Sequence, residues 1–277
     1  MKSFKSFITN NEIQNSGVAP RIIHFKLGKK RKQSYVKEDT SPNRSYMGWM
    51  REPSNTHLGP GPHPVSVELS KTNKYTPKEE AAIEGYTGHN DSEKPDYADD
   101  PYGTYRPDDD GGSEPQDWHS YKINKALIDN KPIPEHLRDT EAGLSSAIRN
   151  NPIPRDVDVF SGVSFDPRKQ TNKDGIMTSP AYISASHDKF ITSEYVNPID
   201  GVNSHIMQIH LKAGDPATHV ESTTLKPDEF ETVIHKGVKL RHMGTETLND
   251  DTGGYPGQYS WNQKPQFVHI HHFAIER

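Results

Sequence analysis

The chain has 277 residues, a net charge of −5, no Cys and only 30% hydrophobic residues, while Gly and Pro number 20 and 22. That length suits one large domain or two small ones, and the lean apolar content predicts one folded domain with irregular segments attached. The lack of Cys excludes a disulfide framework and thiolate chemistry and fits a reducing, intracellular setting. No apolar run approaches the roughly 20 residues of a membrane helix, and MKSFKSFITNNE lacks the apolar stretch of a signal peptide, so no membrane partner is expected.

Residues 1–70 are expected to form a partly irregular N-terminal extension, with the main domain over 71–277. Within the extension, RIIHFKLGKKRK (21–32) carries six Lys/Arg and no acid, which makes it a solvated basic arm or a contact for nucleic acid or another anionic partner. SNTHLGPGPHPV (54–65) is Pro-rich and predicts an extended linker. In YTPKEEAAIEGYTG, Thr76 can cap a helix with Pro77 at its first position and Glu79 closing a capping box, and Gly85 is expected to end it. Residues 91–117 hold ten acids against two bases and read as an acidic insertion with too little apolar content to bury. Apolar spacings of three and four then predict helices in WHSYKINKALIDN and DTEAGLSSAIRNN.

Past NPIPRD the period changes. VDVFSGVSF, AYISAS, SHIMQIHLK, TVIHKG, KLRHMG and FVHIHHFAIE are short β-branched or alternating runs, with a helical HDKFITSEYV (187–196) among them. The fold expected is α+β, helices first and sheets after.

PDEFETVIHKGVKL places Glu229 and Glu231 on either side of an aromatic where a strand begins. On a strand, side chains two apart face the same way, so the two carboxylates would share one space. Alone, Glu-x-Glu is common surface chemistry. Here it follows a strand with a Ser-Gly step (Ser161, Gly162) and a strand ending Ser184-Ala185-Ser186, with Gly237 six residues after Glu231. This order resembles the arginine-Ser-Glu class of mono-ADP-ribosyltransferases, whose signature is an aromatic-Arg-Gly strand, a Ser-Thr-Ser strand and Glu-x-Glu. The likeness covers about residues 72–277 and includes the helical YTPKEEAAIEGYTG and YKINKAL. Several tailed-phage proteins belong to this family, which would put the protein in a virion or a host cytoplasm.

The resemblance implies NAD⁺ as substrate, Glu231 and Glu229 as catalytic carboxylates, Ser184 as support for the catalytic Glu and the nicotinamide ribose, and an arginine of a target protein as acceptor. It also implies N-terminal helices followed by two packed, mainly antiparallel sheets; Ser161, Gly162 and Ser186 would line the NAD⁺ site, and Phe190 or Tyr195 would stack on nicotinamide or pack in the core. Two departures stand out: Ala185 replaces the middle Thr, and Ser161 stands where the family's phosphate-binding Arg is expected, which leaves three outcomes: Arg168 or Arg155 reaches the phosphates from a loop, backbone donors and Ser161 itself bind NAD⁺ more weakly, or the site is inactive. A serine hydroxyl cannot reproduce a guanidinium's bidentate grip on diphosphate. Two rivals follow, a non-catalytic binding or structural protein on the same fold and an NAD glycohydrolase. The histidines His205, His210, His219, His235, His242, His269 and His271 have no acidic or Cys partner at a familiar zinc spacing, so no metal is expected, although His269 and His271 share a strand face.

Overall fold

The structure, a computed structural model, describes residues 44–52, 63–87, 119–163, 165–194, 203–224, 229–249 and 267–277. The basic run 21–32, most of the Pro-rich linker, the acidic insertion and Tyr195 lie outside them. No described helix is long and apolar enough to cross a membrane.

The expected helices are present. α3 (Pro77–Thr87) starts at the predicted capping box: the Thr76 N–H donates to Glu79 Oε2 at 2.9 Å and the Glu79 N–H to Thr76 Oγ1 at 3.4 Å. Gly85 does not end α3, which continues through Tyr86 to Thr87; a Cβ added to this glycine would lie 3.5 Å from the Thr140 side chain. α4 (His119–Ile128) and α5 (Arg138–Asn150) follow, and α6 (Lys189–Glu194) is the short helix read in HDKFITSEYV. Two further helices, α1 (Tyr46–Met50) and α2 (Pro64–Ser70), fall in the segment expected as extension and linker. Their apolar residues belong to the cores: Tyr46, Trp49 and Met50 to one cluster and Leu69 to another.

Among the described residues, eight strands carry the C-terminal half: β1 (Val157–Val163), β2 (Ile176–Thr178), β3 (Ile183–Ser186), β4 (Asn203–Leu211), β5 (Ala217–His219), β6 (Glu231–Ile234), β7 (Lys239–Asn249) and β8 (Phe267–Ile275). Their order is β2-β7-β8-β4-β1-β3-β6-β5, and every pairing is antiparallel except β4 with β8. The two sheets expected are therefore joined in one ladder. The joint is thin, because β1 and β3 share the single register pair Phe160↔Ser186, whereas β1 and β4 are paired from Val157↔Leu211 to Val163↔His205.

Across that joint the sheet turns on itself. Val159, Met207, Ile209, Leu240 and Phe273 from the five-stranded half meet Ile183, Ala185, Ala217 and Ile234 from the three-stranded half in one apolar core. The outer faces are covered by helices. Ile83, Tyr86, Ile123, Leu144 and Ile148 of α3, α4 and α5 pack on Tyr182, Val220 and Val233, while α1 packs on Phe160, Ile206, Leu248, Val268 and Ile270. Strand alternation thus sends each residue either to the inner core or under the helices.

Candidate active site

Glu231 opens β6 and is 8% exposed, and its backbone partner on β3 is Ser186. Ser184 sits two residues earlier on β3, opposite Val233. Because Ile183, Ala185 and Ile234 point into the inner core, Ser184, Ser186 and Glu231 share the opposite, helix-covered face. Tyr86 of α3 stands over them. Burial, and then the negative charge of Glu231, pushes its phenol well above the ordinary range. Asn124 of α4 donates to the Tyr86 hydroxyl at 3.0 Å and also accepts from the Tyr182 N–H at 3.2 Å, clamping α3, α4 and the entry to β3 together. Ser184 Oγ is buried without a hydrogen bond of ordinary geometry, although it is close enough to the Tyr86 hydroxyl to lower that group's pKa. A buried hydroxyl left in this state is suited to a ligand's polar group.

The two glutamates do not lie on a strand together. Glu229 precedes β6, and Phe230 between them has φ of +50°, a left-handed conformation that an aromatic residue adopts only at a cost of about 1–2 kcal/mol. The alternation argument for a shared space therefore fails at this step. What holds the turn is the end of β3: Ser186 Oγ donates to the Glu229 carbonyl at 2.8 Å, and the His187 N–H to the Phe230 carbonyl at 3.2 Å. Phe230 is 8% exposed and packs against His63, with ring centroids 5.5 Å apart. Burying the aromatic leaves Glu229 half-buried beside the turn. Sequence reasoning missed Tyr86, Asn124, His63 and His187. The only signal for the first two was a polar residue at a core-facing helical position.

The remaining expected NAD⁺ contacts separate. Ser161 lies on the inner face with Val159 and Val163, away from the Ser184 and Glu231 side chains, and its Oγ donates to the Ser184 carbonyl at 2.9 Å. It stitches β1 to β3 where the ladder is thinnest. Gly162 pairs with Ile206 on β4. Phe190 packs with Trp49 and Phe160 under α1, which is the core role weighed for it. Arg168 does not join Glu231: its guanidinium holds Asp166, with Nη2 at 2.8 Å from Oδ2, and its positive charge helps to lower the pKa values of His242 and His271 on the inner face, after burial. Arg155 pairs with Glu68 at 2.9 Å.

Residues 116–253, the stretch that contains Ser161, Ser184, Glu229 and Glu231, match the family model of the ADP-ribosyltransferase exoenzymes. The fold is shared with the enzymatic component of a clostridial toxin. The enzymatic component C2-I of the C2 toxin of Clostridium botulinum aligns with a TM-score of 0.50 at 13% identity, covering 77% of this chain and 46% of that one. The C3 exoenzyme of Clostridium limosum aligns at 0.46 and 14% identity, over 77% of this chain and 92% of its own. An ADP-ribosyltransferase toxin of Paenibacillus larvae aligns at 0.48 and 11%, over 76% and 91%. No curated protein sequence matches.

Proposed function

We propose that the protein is a mono-ADP-ribosyltransferase that moves ADP-ribose from NAD⁺ to an arginine of a target protein in a host cell and releases nicotinamide. The observation that carries this reading is the buried Glu231 at the head of β6, paired with Ser186, on the same sheet face as Ser184 and under Tyr86, inside the stretch that matches the exoenzyme family.

The chemistry follows from the bond that breaks. Nicotinamide is cationic while attached to ribose and neutral once free, so its departure needs no general acid. Positive charge develops on the ribose as in glycoside hydrolysis, and a fixed carboxylate stabilises it electrostatically. Glu231 supplies that carboxylate, and Ser184 Oγ offers a hydrogen bond to the ribose. Nucleophilic attack on the ribose carbon requires a guanidinium to be held and to give up a proton; in this reading Glu229, half-buried ahead of β6, holds the acceptor and takes that proton.

The test is transfer of labelled ADP-ribose from NAD⁺ to a small guanidino acceptor and to cell lysate. Native protein is expected to label both. Glu231→Gln is expected to lose transfer and nicotinamide release together, and Glu229→Gln to lose arginine labelling while still cleaving NAD⁺. One observation favours a second reading, a non-catalytic binding protein on this fold: Ser161 occupies the position of the family's arginine and spends its hydroxyl on the Ser184 carbonyl. Native protein that neither labels an acceptor nor releases nicotinamide would select that reading.

A further inference from the structure

The inner face of the five-stranded half carries a polar cluster remote from Glu231. His205 of β4 and His271 of β8 lie on neighbouring parallel strands, and Asp166 follows β1. One ligand atom from each falls within 4.8 Å of the others, with His205 Nδ1 at 2.9 Å from His271 Nε2. His271 is fully buried and His205 is 7% exposed. We propose that Asp166, His205 and His271 form a binding site for a divalent cation of the zinc or cobalt type.

Three features support the assignment. The donor set, two imidazole nitrogens and one carboxylate, suits borderline cations and leaves a coordination position for water. The outer partners are those that orient ligands. His271 presents Nε2 to the cluster while its Nδ1 lies 3.0 Å from Thr245 Oγ1, and Arg168 grips Asp166 through both Nε and Nη2. The separation of the two ring nitrogens is also near that of a metal pair: a tetrahedral zinc with bonds of about 2.1 Å puts two nitrogens roughly 3.4 Å apart, so the rings need open by only about half an ångström. Arg168 offsets part of the Asp166 charge, so the cation is expected to exchange rather than be locked in. His242 and His269 flank the cluster, His242 reaching Thr245 Oγ1 at 3.0 Å and the His269 ring stacking on His205 at 5.1 Å.

The experiment is equilibrium dialysis of the untagged full chain, first stripped with chelator, against Zn²⁺ or Co²⁺ alone. Native protein is expected to retain the cation, with Co²⁺ giving a ligand-field spectrum of nitrogen and oxygen donors. Asp166→Asn and His205→Gln should each weaken binding at least about tenfold, and Thr245→Val by less. His210→Gln is the control, because His210 pairs with Asp158 and His272 on the opposite face of the sheet, and it should leave binding unchanged. Asp166→Asn sits outside the strands and keeps the side chain's size, so it decides the matter if His205→Gln fails to fold. Native protein that retains no cation would overturn the proposal, as would retention that Asp166→Asn leaves intact. Neither outcome depends on ADP-ribosyl transfer.

Discussion

At the scale of single residues, the most informative position is Ser161. The resemblance marks it as a lost ligand contact, yet its hydroxyl ties β1 to the Ser184 carbonyl on β3 across the thinnest pairing of the sheet. Ser161→Ala should lower unfolding free energy by about 1 kcal/mol, the net worth of a typical hydrogen bond, as read by denaturant titration. If the bond also positions Ser184, nicotinamide release should fall in the same variant, with the larger effect on the catalytic rate. A variant with unchanged stability would show that the bond contributes nothing. Glu231 and Ser184 were legible as a pair from their motifs. The left-handed Phe230 between the glutamates was not, because nothing in Glu-Phe-Glu announces a positive φ; the turn exists because Ser186 and His187 bind its carbonyls and His63 receives the ring.

At the scale of elements, the packing of α3 on α5 sets where Tyr86 stands. Gly143 of α5 meets Ala82 of α3 so closely that an added Cβ would lie 2.5 Å from the Ala82 Cβ and 3.3 Å from the Lys78 carbonyl. Backbone and a short rigid side chain cannot yield, so Gly143→Ala should force the helices apart and cost about 1–3 kcal/mol despite alanine's better helix propensity. Adding Ala82→Gly should recover part of the loss. A stabilised Gly143→Ala protein would show that propensity outweighs the contact. The helix start was readable because capping is local: Thr76 and Glu79 satisfy each other's backbone donors within one turn. The helix end was misjudged at Gly85 because that glycine answers to Thr140 on another helix, a contact with no local signature.

At the scale of the whole molecule, buried neutral histidines tie stability to pH. His187 links β3 to β6 through Thr232 Oγ1 at 2.8 Å, and burial, followed by the neighbouring His219 and His63, lowers its pKa well below the usual value. Arg155 adds to the lowering, and a backbone hydrogen bond with Asp158 opposes it. A histidine whose folded pKa is depressed binds its proton more readily in the unfolded chain. Stability contributed by the neutral form is therefore present above about pH 6.5 and is lost as pH falls from there towards the folded pKa. Denaturant midpoints measured from pH 8 down to pH 5 should fall below 6.5, and His187→Gln should flatten that part of the curve. An unchanged slope in the variant would assign the acid sensitivity to other groups.

The sequence by itself determined the class of the fold, the order of helices then strands, and the motifs that carry the candidate chemistry. Periodicity, capping and turn residues are local, and a motif travels with its neighbours in the chain. Tertiary structure decided what depends on which strands become neighbours. It joined the two sheets through one residue pair, drew α1 and α2 into the cores, turned Ser161 and Arg168 away from Glu231, and brought Tyr86 and Asn124 over Ser184. It also gathered Asp166, His205 and His271, 105 residues apart at the extremes, into one cluster. No spacing along the chain encodes that meeting, because it depends on β4 and β8 lying side by side in parallel and on β1 ending beside them.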